Sequence, residues 1–195
     1  VNSHKIEELL STMERYRLDA HLFDFSLELL PPTYVCVLID NTGVGPTISI
    51  GASCKLNPEK AVLKAILEAQ QIRLNMRSKM LGVNMNARSG TINTRIEHWI
   101  NADSTKDITY LLESNLTVSI PNKIWTLQEI LSQFPHRLFI TDLSPEWEKT
   151  WKVLKIVSPE LVPLYFDDEY KPIINERLGI RLRGRETNKA PHPLM

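Results

Sequence analysis

One segment near the middle of the chain, residues 57–80, constrains the fold most, because a helix start signal is followed there by a long helical pattern. Asn57 suits the N-cap position, and Pro58 fits the first helical position, where its missing N–H donor costs nothing. At about 100° per residue, one side of the helix carries an apolar stripe of small and branched residues: Val62, Ala65, Ile66, Ala69, Ile72 and Met76. The segment therefore predicts a helix that packs closely on a sheet.

Two segments before this helix predict strands of that sheet. Thr33–Asp40 is an almost continuous apolar run rich in Val and Ile, which is typical of a buried central strand. Residues 47–52 follow as a partner strand after a turn that holds two glycines and a proline. Helical spacing at 3–16 and alternation at 18–25 add a further helix and strand. We therefore predict an α+β fold in which helices pack on a mixed β-sheet.

The second part of the chain predicts shorter elements. Short helices are expected near residues 95–100, 107–113 and 127–134, the last with Thr126 and Glu129 in capping-box spacing. Strands are expected at 137–142 and 153–157. Residues 82–94, rich in Asn, Ser and Gly, predict a flexible loop, and residues 179–195 form a basic tail that contains prolines. The length of 195 residues fits a single domain over residues 1–195.

The charge balance and the cysteine content exclude several classes of function. Lys plus Arg and Asp plus Glu both number 23, so the net charge gives no reason to expect a nucleic-acid partner. Cys36 and Cys54 are too few for a disulfide framework and have no zinc-ligand spacing around them. No apolar run is long enough to span a bilayer, and no P-loop, GxGxxG, HExxH or GxSxG motif occurs. These features predict a soluble, reduced, cytoplasmic protein that does not contact a membrane.

Two features of the helix at 57–80 go beyond packing. Opposite the apolar side lies a narrow polar stripe formed by Lys64, Glu68, Gln71 and Asn75. Pattern alone favours a solvated face, with Lys64 and Glu68 at the spacing of an ion pair. Arg73, however, falls inside the apolar arc. A guanidinium there must either reach solvent or meet an anion, since an unpaired buried charge costs several kcal/mol.

Residues 51–73, with the sequence GASCKLNPEKAVLKAILEAQQIR, resemble the YcaO domain. That family has a glycine-led loop, a helix start with proline, and then the pattern A-x-x-E-x-x-Q-x-R in the same helix. Glu68, Gln71 and Arg73 fall on the last three marked positions of that pattern. The preceding strands match in order, and the chain ends in PHPLM, similar to the closing PHPxP of the family. The resemblance spans nearly the whole chain and implies the later half of a YcaO-like domain.

The resemblance implies an ATP-dependent enzyme that phosphorylates a peptide backbone amide oxygen after a nucleophile has added to the carbonyl. ATP and Mg²⁺ are the implied cofactors. Glu68 is the implied metal ligand, Glu68 and Gln71 are the implied catalytic residues, and both are implied to bind nucleotide together with Arg73. A tail site near the nucleotide is implied for Arg181, Arg183, Pro191 and Pro193.

The product implied by the resemblance depends on the nucleophile. It is an azoline, an amidine or a thioamide, formed in post-translational modification of a peptide or protein, as in bacteriocin biosynthesis. Met195 stands where azoline-forming members commonly have a third proline, so thioamide formation stays open. The implied partners are a peptide or protein substrate, an accessory protein of the TfuA-like or E1-like kind, and a second copy in a homodimer.

Two other hypotheses compete with the enzyme. A YcaO domain is about twice as long as this chain, and its earlier half supplies further nucleotide and metal-binding residues, so the active site here is implied to be partial. The chain could instead be a non-catalytic YcaO-like scaffold that docks a precursor peptide or partner protein. The similarity could also have arisen by chance within an unrelated α/β fold. In that case the polar stripe is only a solvated face of the helix.

Overall fold

The computed structural model of the chain describes residues 3–26, 31–81, 98–113 and 120–159. Two compact units divide these residues, the first ending at Gln133 and the second beginning at Phe134. The single domain over residues 1–195 stays a prediction, and the predicted loop at 82–94 and the tail at 179–195 lie outside the described residues.

The first unit is built on a three-stranded antiparallel sheet in the order β1-β2-β3. Helix α1 (His4–Arg15) leads into β1 (Leu18–Asp24), β2 (Thr33–Asp40) and β3 (Ile48–Cys54), and α2 (Pro58–Met80) follows. Strand β2 has the bounds predicted for it, and β3 begins one residue and ends two residues later than expected. The α+β class is confirmed, and the strand pairs among the described residues are all antiparallel.

Helix α2 begins where its start signal predicts. The side chain of Asn57 accepts a hydrogen bond from the Lys60 amide at 3.0 Å, which caps the first turn, and Pro58 is the first helical residue. Between these residues and Met80 the helix contains no glycine and no further proline, so its hydrogen-bond ladder is not interrupted.

The remaining elements are short. In the first unit a 3₁₀ helix (Ala102–Ile108) continues into α3 (Thr109–Leu112), and α4 (Leu127–Gln133) follows. The helix predicted at 107–113 is thus partly 3₁₀, because Asp, Ser and Thr side chains compete with the backbone and favour tight, short turns. The capping box of α4 is confirmed, with the Glu129 amide donating to Thr126 Oγ1 at 3.1 Å. The helix predicted at 95–100 lies partly outside the described residues.

The second unit contains an antiparallel hairpin of two strands, β4 (Phe139–Asp142) and β5 (Leu154–Val157). Both strands lie within the segments predicted for them. The Lys152 ammonium donates to an Asp142 carboxylate oxygen at 2.6 Å beside the end of the hairpin.

The core of the first unit lies between the sheet and α2. Alternate residues of β2, Tyr34, Cys36 and Leu38, belong to one buried cluster with the apolar side of α2, in which Val62, Ala65, Ile66 and Ala69 are fully buried as predicted. The intervening Val37 joins a second cluster with Ile50 of β3 and Trp99. Strand β2 is therefore packed on both faces, which explains its continuous apolar sequence.

No helix within the described ranges combines the length and the apolar character needed to cross a membrane.

Candidate nucleotide-binding site

Helix α2 rests directly on strand β3 at one glycine. A Cβ atom built on Gly51 would lie 2.2 Å from the carbonyl oxygen of Ala65 and 2.3 Å from the amide nitrogen of Ala69. Only a residue without a side chain permits this approach of helix to strand. The contact fixes the part of the helix that carries Glu68.

Glu68 accepts a hydrogen bond from a backbone amide of β3 that does not pair with β2. The Asp40 amide donates to the Thr47 carbonyl oxygen, so alternate residues of β3 bond to β2 and the Ala52 amide points away from β2. The Glu68 Oε2 atom accepts that amide at 3.1 Å, and the Glu68 side chain is half-buried. One carboxylate oxygen is thereby oriented, and among the described residues no hydrogen bond to the other oxygen is seen.

The other members of the polar stripe lie where the helical pattern predicts. Gln71, one turn after Glu68, is exposed, as are Lys64 and Asn75. Glu68 is the exception, since it bonds to the edge of the sheet rather than to Lys64. Two leucines, Leu67 and Leu74, are each 55% exposed on this side of the helix. The outward face of α2 is thus mixed, with one oriented carboxylate and one exposed amide on neighbouring turns.

The anion that Arg73 requires is Asp40. The Arg73 Nε atom donates to Asp40 Oδ2 at 2.7 Å, and the two side chains are 10% and 1% exposed. The sequence left two outcomes open for Arg73, contact with solvent or with an anion, and did not identify Asp40 as the anion. A signal was present, because Asp40 is two residues beyond Leu38 and hence on the strand face that packs against α2.

The Asp40 carboxylate also organises the turn after β2. Its Oδ1 atom accepts the Thr42 amide at 2.8 Å and the Thr42 hydroxyl in a short hydrogen bond. Burial by itself raises the pKa of Asp40, but the bonds from Thr42 and the bond and charge of Arg73 outweigh it and hold the pKa below its usual value. Asp40 therefore stays ionised at neutral pH.

The described side chains supply only some of the ligands that a Mg²⁺ ion needs. Within the described ranges, no three His, Cys, Asp or Glu side chains are grouped so as to hold a metal ion. Mg²⁺ is commonly bound through one or two carboxylates together with phosphate oxygens and waters. The second carboxylate oxygen of Glu68 suits that role, and Gln71 suits a phosphate or a metal-bound water. Of the remaining predicted site residues, Arg181, Arg183, Pro191 and Pro193 lie outside the described residues.

Solved structures of heterocyclases are similar in fold. The Escherichia coli microcin synthetase McbBCD complex matches with a TM-score of 0.63 and 17% identity, covering 95% of this chain and 51% of that chain. The heterocyclase TruD matches with a TM-score of 0.57 and 18% identity, over 82% of this chain and 22% of that one. A heterocyclase in complex with substrate and cofactor matches with a TM-score of 0.58 and 20% identity, covering 82% of this chain and 22% of that chain.

The chain spans from about a fifth to about a half of the length of these proteins. No curated protein sequence matches it. The model of one protein family, described as YcaO cyclodehydratase, ATP- and Mg²⁺-binding, matches residues 2–162. That range includes the sheet, α2 and the residues Glu68, Gln71 and Arg73, and on this match the chain belongs to the YcaO family.

Proposed function

We propose that the complete protein uses ATP and Mg²⁺ to activate a backbone amide of a peptide for azoline formation. Membership of the YcaO cyclodehydratase family supports the reaction class. The observation that carries the proposal for this chain is the half-buried carboxylate of Glu68, which the Ala52 amide orients at the edge of the sheet, one helical turn before the exposed Gln71.

The reaction consumes one ATP for each amide that is converted. A thiol or hydroxyl of a Cys, Ser or Thr side chain loses its proton and adds to the preceding carbonyl carbon, and the former amide oxygen takes the terminal phosphoryl group as ADP leaves. Loss of phosphate then removes that oxygen, and loss of the nitrogen-bound proton leaves the C=N bond of the azoline. The peptide thereby loses one water.

The residues of this chain contribute charge and orientation. The second carboxylate oxygen of Glu68 would hold Mg²⁺ as one of its ligands, and the positive charge of the ion would compensate the negative charge of the phosphates. The Gln71 amide can donate to a phosphate oxygen or orient a metal-bound water. Because the Ala52 amide holds Glu68 in place, little reorganisation is required when the nucleotide binds.

The nucleophile and the partners are finer parts of the proposal. The E. coli microcin synthetase is a complex of several proteins, solved also with pro-MccB17 bound, which supports a peptide precursor and an accessory protein of TfuA-like or E1-like kind as partners here. A homodimer remains part of the proposal. A thioamide is the alternative product, which Met195 in place of a third proline leaves open.

A non-catalytic docking scaffold is the second candidate function. It is favoured by the small number of ligands, since the described residues contain no group of three metal-binding side chains. A scaffold of this kind would bind a precursor peptide without nucleotide. The enzyme requires the remaining ligands to come from residues outside the described ranges or from another polypeptide.

The decisive experiment follows the oxygen of the amide. The complete protein is incubated with MgATP and a pool of peptides that contain Gly-Cys and Gly-Ser pairs, with heavy oxygen in the Gly carbonyls. The proposal predicts heavy oxygen in the released phosphate and a peptide lighter by one water, both lost in Gln71→Ala and retained in Lys64→Ala. Replacement of oxygen by sulfur in the presence of sulfide indicates the thioamide. Peptide binding without ATP consumption supports the scaffold instead.

A further inference from the structure

Arg73 lies on the nucleotide-binding pattern of the family, yet its guanidinium is occupied by a residue of the sheet. We propose that Asp40 and Arg73 form a positioning pair that sets the orientation of α2 on the sheet, and thereby directs Glu68 and Gln71, without a contact between Arg73 and phosphate. The inference rests on the proposed function only in taking Glu68 and Gln71 as nucleotide ligands.

In addition to the apolar packing of its buried side, the helix makes two specific contacts with the sheet. The first is the close approach at Gly51, reinforced by the bond from the Ala52 amide to Glu68. The second is the bond between Arg73 and Asp40, five residues later, which is about 7.5 Å further along the helix axis. Apolar packing is not directional, whereas contacts at two different azimuths of the helix oppose a small roll about its axis. Gln71 lies between them.

The second contact joins three parts of the fold through one carboxylate. Asp40 ends strand β2, binds the amide and hydroxyl of Thr42 in the following turn, and binds Arg73 of the helix. Gly45 leaves room for this arrangement, because a Cβ atom there would lie 2.1 Å from Asp40 Oδ2 and 3.4 Å from Arg73 Nη2. The turn, the strand end and the helix are therefore linked through the Asp40 carboxylate.

The charge on Arg73 is already balanced. Both side chains of the pair are removed from solvent, so transferring the guanidinium to a phosphate would leave the Asp40 carboxylate buried without its partner. A positioning role needs no such transfer. It also accounts for the position of this arginine inside the apolar arc of α2. A phosphate ligand would instead be expected on the exposed face of the helix, beside Gln71.

The test compares single and paired removal of the charges in the complete protein. The variants are Asp40→Asn, Arg73→Gln, the double Asp40→Asn/Arg73→Gln, and the conservative Arg73→Lys. The matched control is Arg15→Gln, at an exposed arginine of α1. Two quantities are measured: the dissociation constant of MgATP, and hydrogen exchange of the Ala52 amide relative to the Val37 amide in the core.

A positioning pair predicts that each single variant weakens MgATP binding about tenfold and speeds exchange at Ala52 more than at Val37. The double variant leaves no unpaired buried charge, and its two amide side chains can still hydrogen-bond between β2 and α2, so its affinity returns to within about threefold of that of the unmodified protein. Arg73→Lys retains the ion pair, so its affinity for MgATP should lie between that of the single variants and that of the double variant. The affinity of the Arg15→Gln control should be unchanged. Should a single variant fail to fold, the double variant and Arg73→Lys supply the same comparison.

Two results overturn the inference. If Asp40→Asn keeps full affinity while Arg73→Gln and the double variant lose it equally, Arg73 contacts phosphate. If exchange at Val37 and Ala52 rises equally in the single variants, the pair contributes only to global stability. An unmodified protein that does not bind MgATP contradicts the proposed function, and in that case the exchange comparison alone decides for or against the pair.

Discussion

Gly51 of β3 lies against the backbone of α2 so closely that an added Cβ atom would be 2.2 Å from the carbonyl oxygen of Ala65. The atom in the way belongs to a helix backbone, which cannot rotate aside as a side chain can. This contact brings Glu68 within hydrogen-bonding distance of the Ala52 amide. The spacing between strand and helix is therefore a condition for the candidate site.

Substitution of Gly51 is expected to destabilise the protein and to displace Glu68. Gly51→Ala should lower the free energy of unfolding by about 3 kcal/mol, because the helix must move off the strand to admit the methyl group. Urea unfolding measures the loss. Lys64→Ala, on the exposed face of the same helix, serves as control and should change the value by less than about 0.5 kcal/mol. Equal stability of the two variants would contradict the close packing.

The buried ion pair should make stability depend on acid pH. The folded-state pKa of Asp40 is lowered, so its contribution is complete above the ordinary carboxyl pKa and is lost as the pH falls through the folded value. At pH 7, Arg73→Gln should cost about 3 kcal/mol, since it leaves a buried carboxylate unpaired. The difference in the free energy of unfolding between the unmodified protein and Arg73→Gln should be smaller near pH 2 than at pH 7. A difference independent of pH would argue against an ionised Asp40.

The two cysteines should differ in reactivity. Burial raises the pKa of the Cys36 thiol to about 12 and also blocks access to it, whereas Cys54 is exposed. A maleimide reagent at neutral pH should modify one thiol in each folded chain and both after denaturation. Cys54→Ser should abolish the native reaction, and Cys36→Ala should preserve it. Rapid native labelling of Cys36 would contradict its place in the core.

Deletion of residues 189–195 tests the tail predicted from the family resemblance. If the tail reaches the active site, removing it should abolish peptide modification while ATP binding and the free energy of unfolding are retained. Arg183→Ala is a milder probe of the same segment. Mass spectrometry of the peptide reports modification, and full modification by the deleted protein would mark the tail as a solvated end.

Local sequence signals predicted α2 and β2 well, and they did not predict the contacts that join them. Asn57 and Pro58 mark the helix start because capping depends on neighbouring residues alone. The partner of Arg73 is 33 residues away along the chain, and the periodicity of the helix predicts only that the guanidinium must reach either solvent or an anion. That anion is identified only once β2 and α2 are packed together.

Sequence pattern did not predict the hydrogen bond between Glu68 and the Ala52 amide, for a different reason. Backbone amides carry no residue-specific signal, so a helical wheel places Glu68 on a solvated stripe with Lys64. The unpaired amide exists because β3 is at the edge of the described sheet and alternates its donors between the two sides. The position of Glu68 thus follows from strand pairing rather than from the helix.

The central claim, that Glu68 and Gln71 hold a magnesium-bound nucleotide, is tested most directly by calorimetric titration of MgATP into the complete protein. Glu68→Gln keeps an oxygen acceptor for the Ala52 amide and removes only the charge, and Gln71→Ala removes an exposed amide. Each should keep its stability and bind MgATP roughly tenfold to a hundredfold more weakly, as expected for loss of a charged contact. Lys64→Ala should bind as the unmodified protein does. Affinity unchanged in both Glu68→Gln and Gln71→Ala would contradict the account.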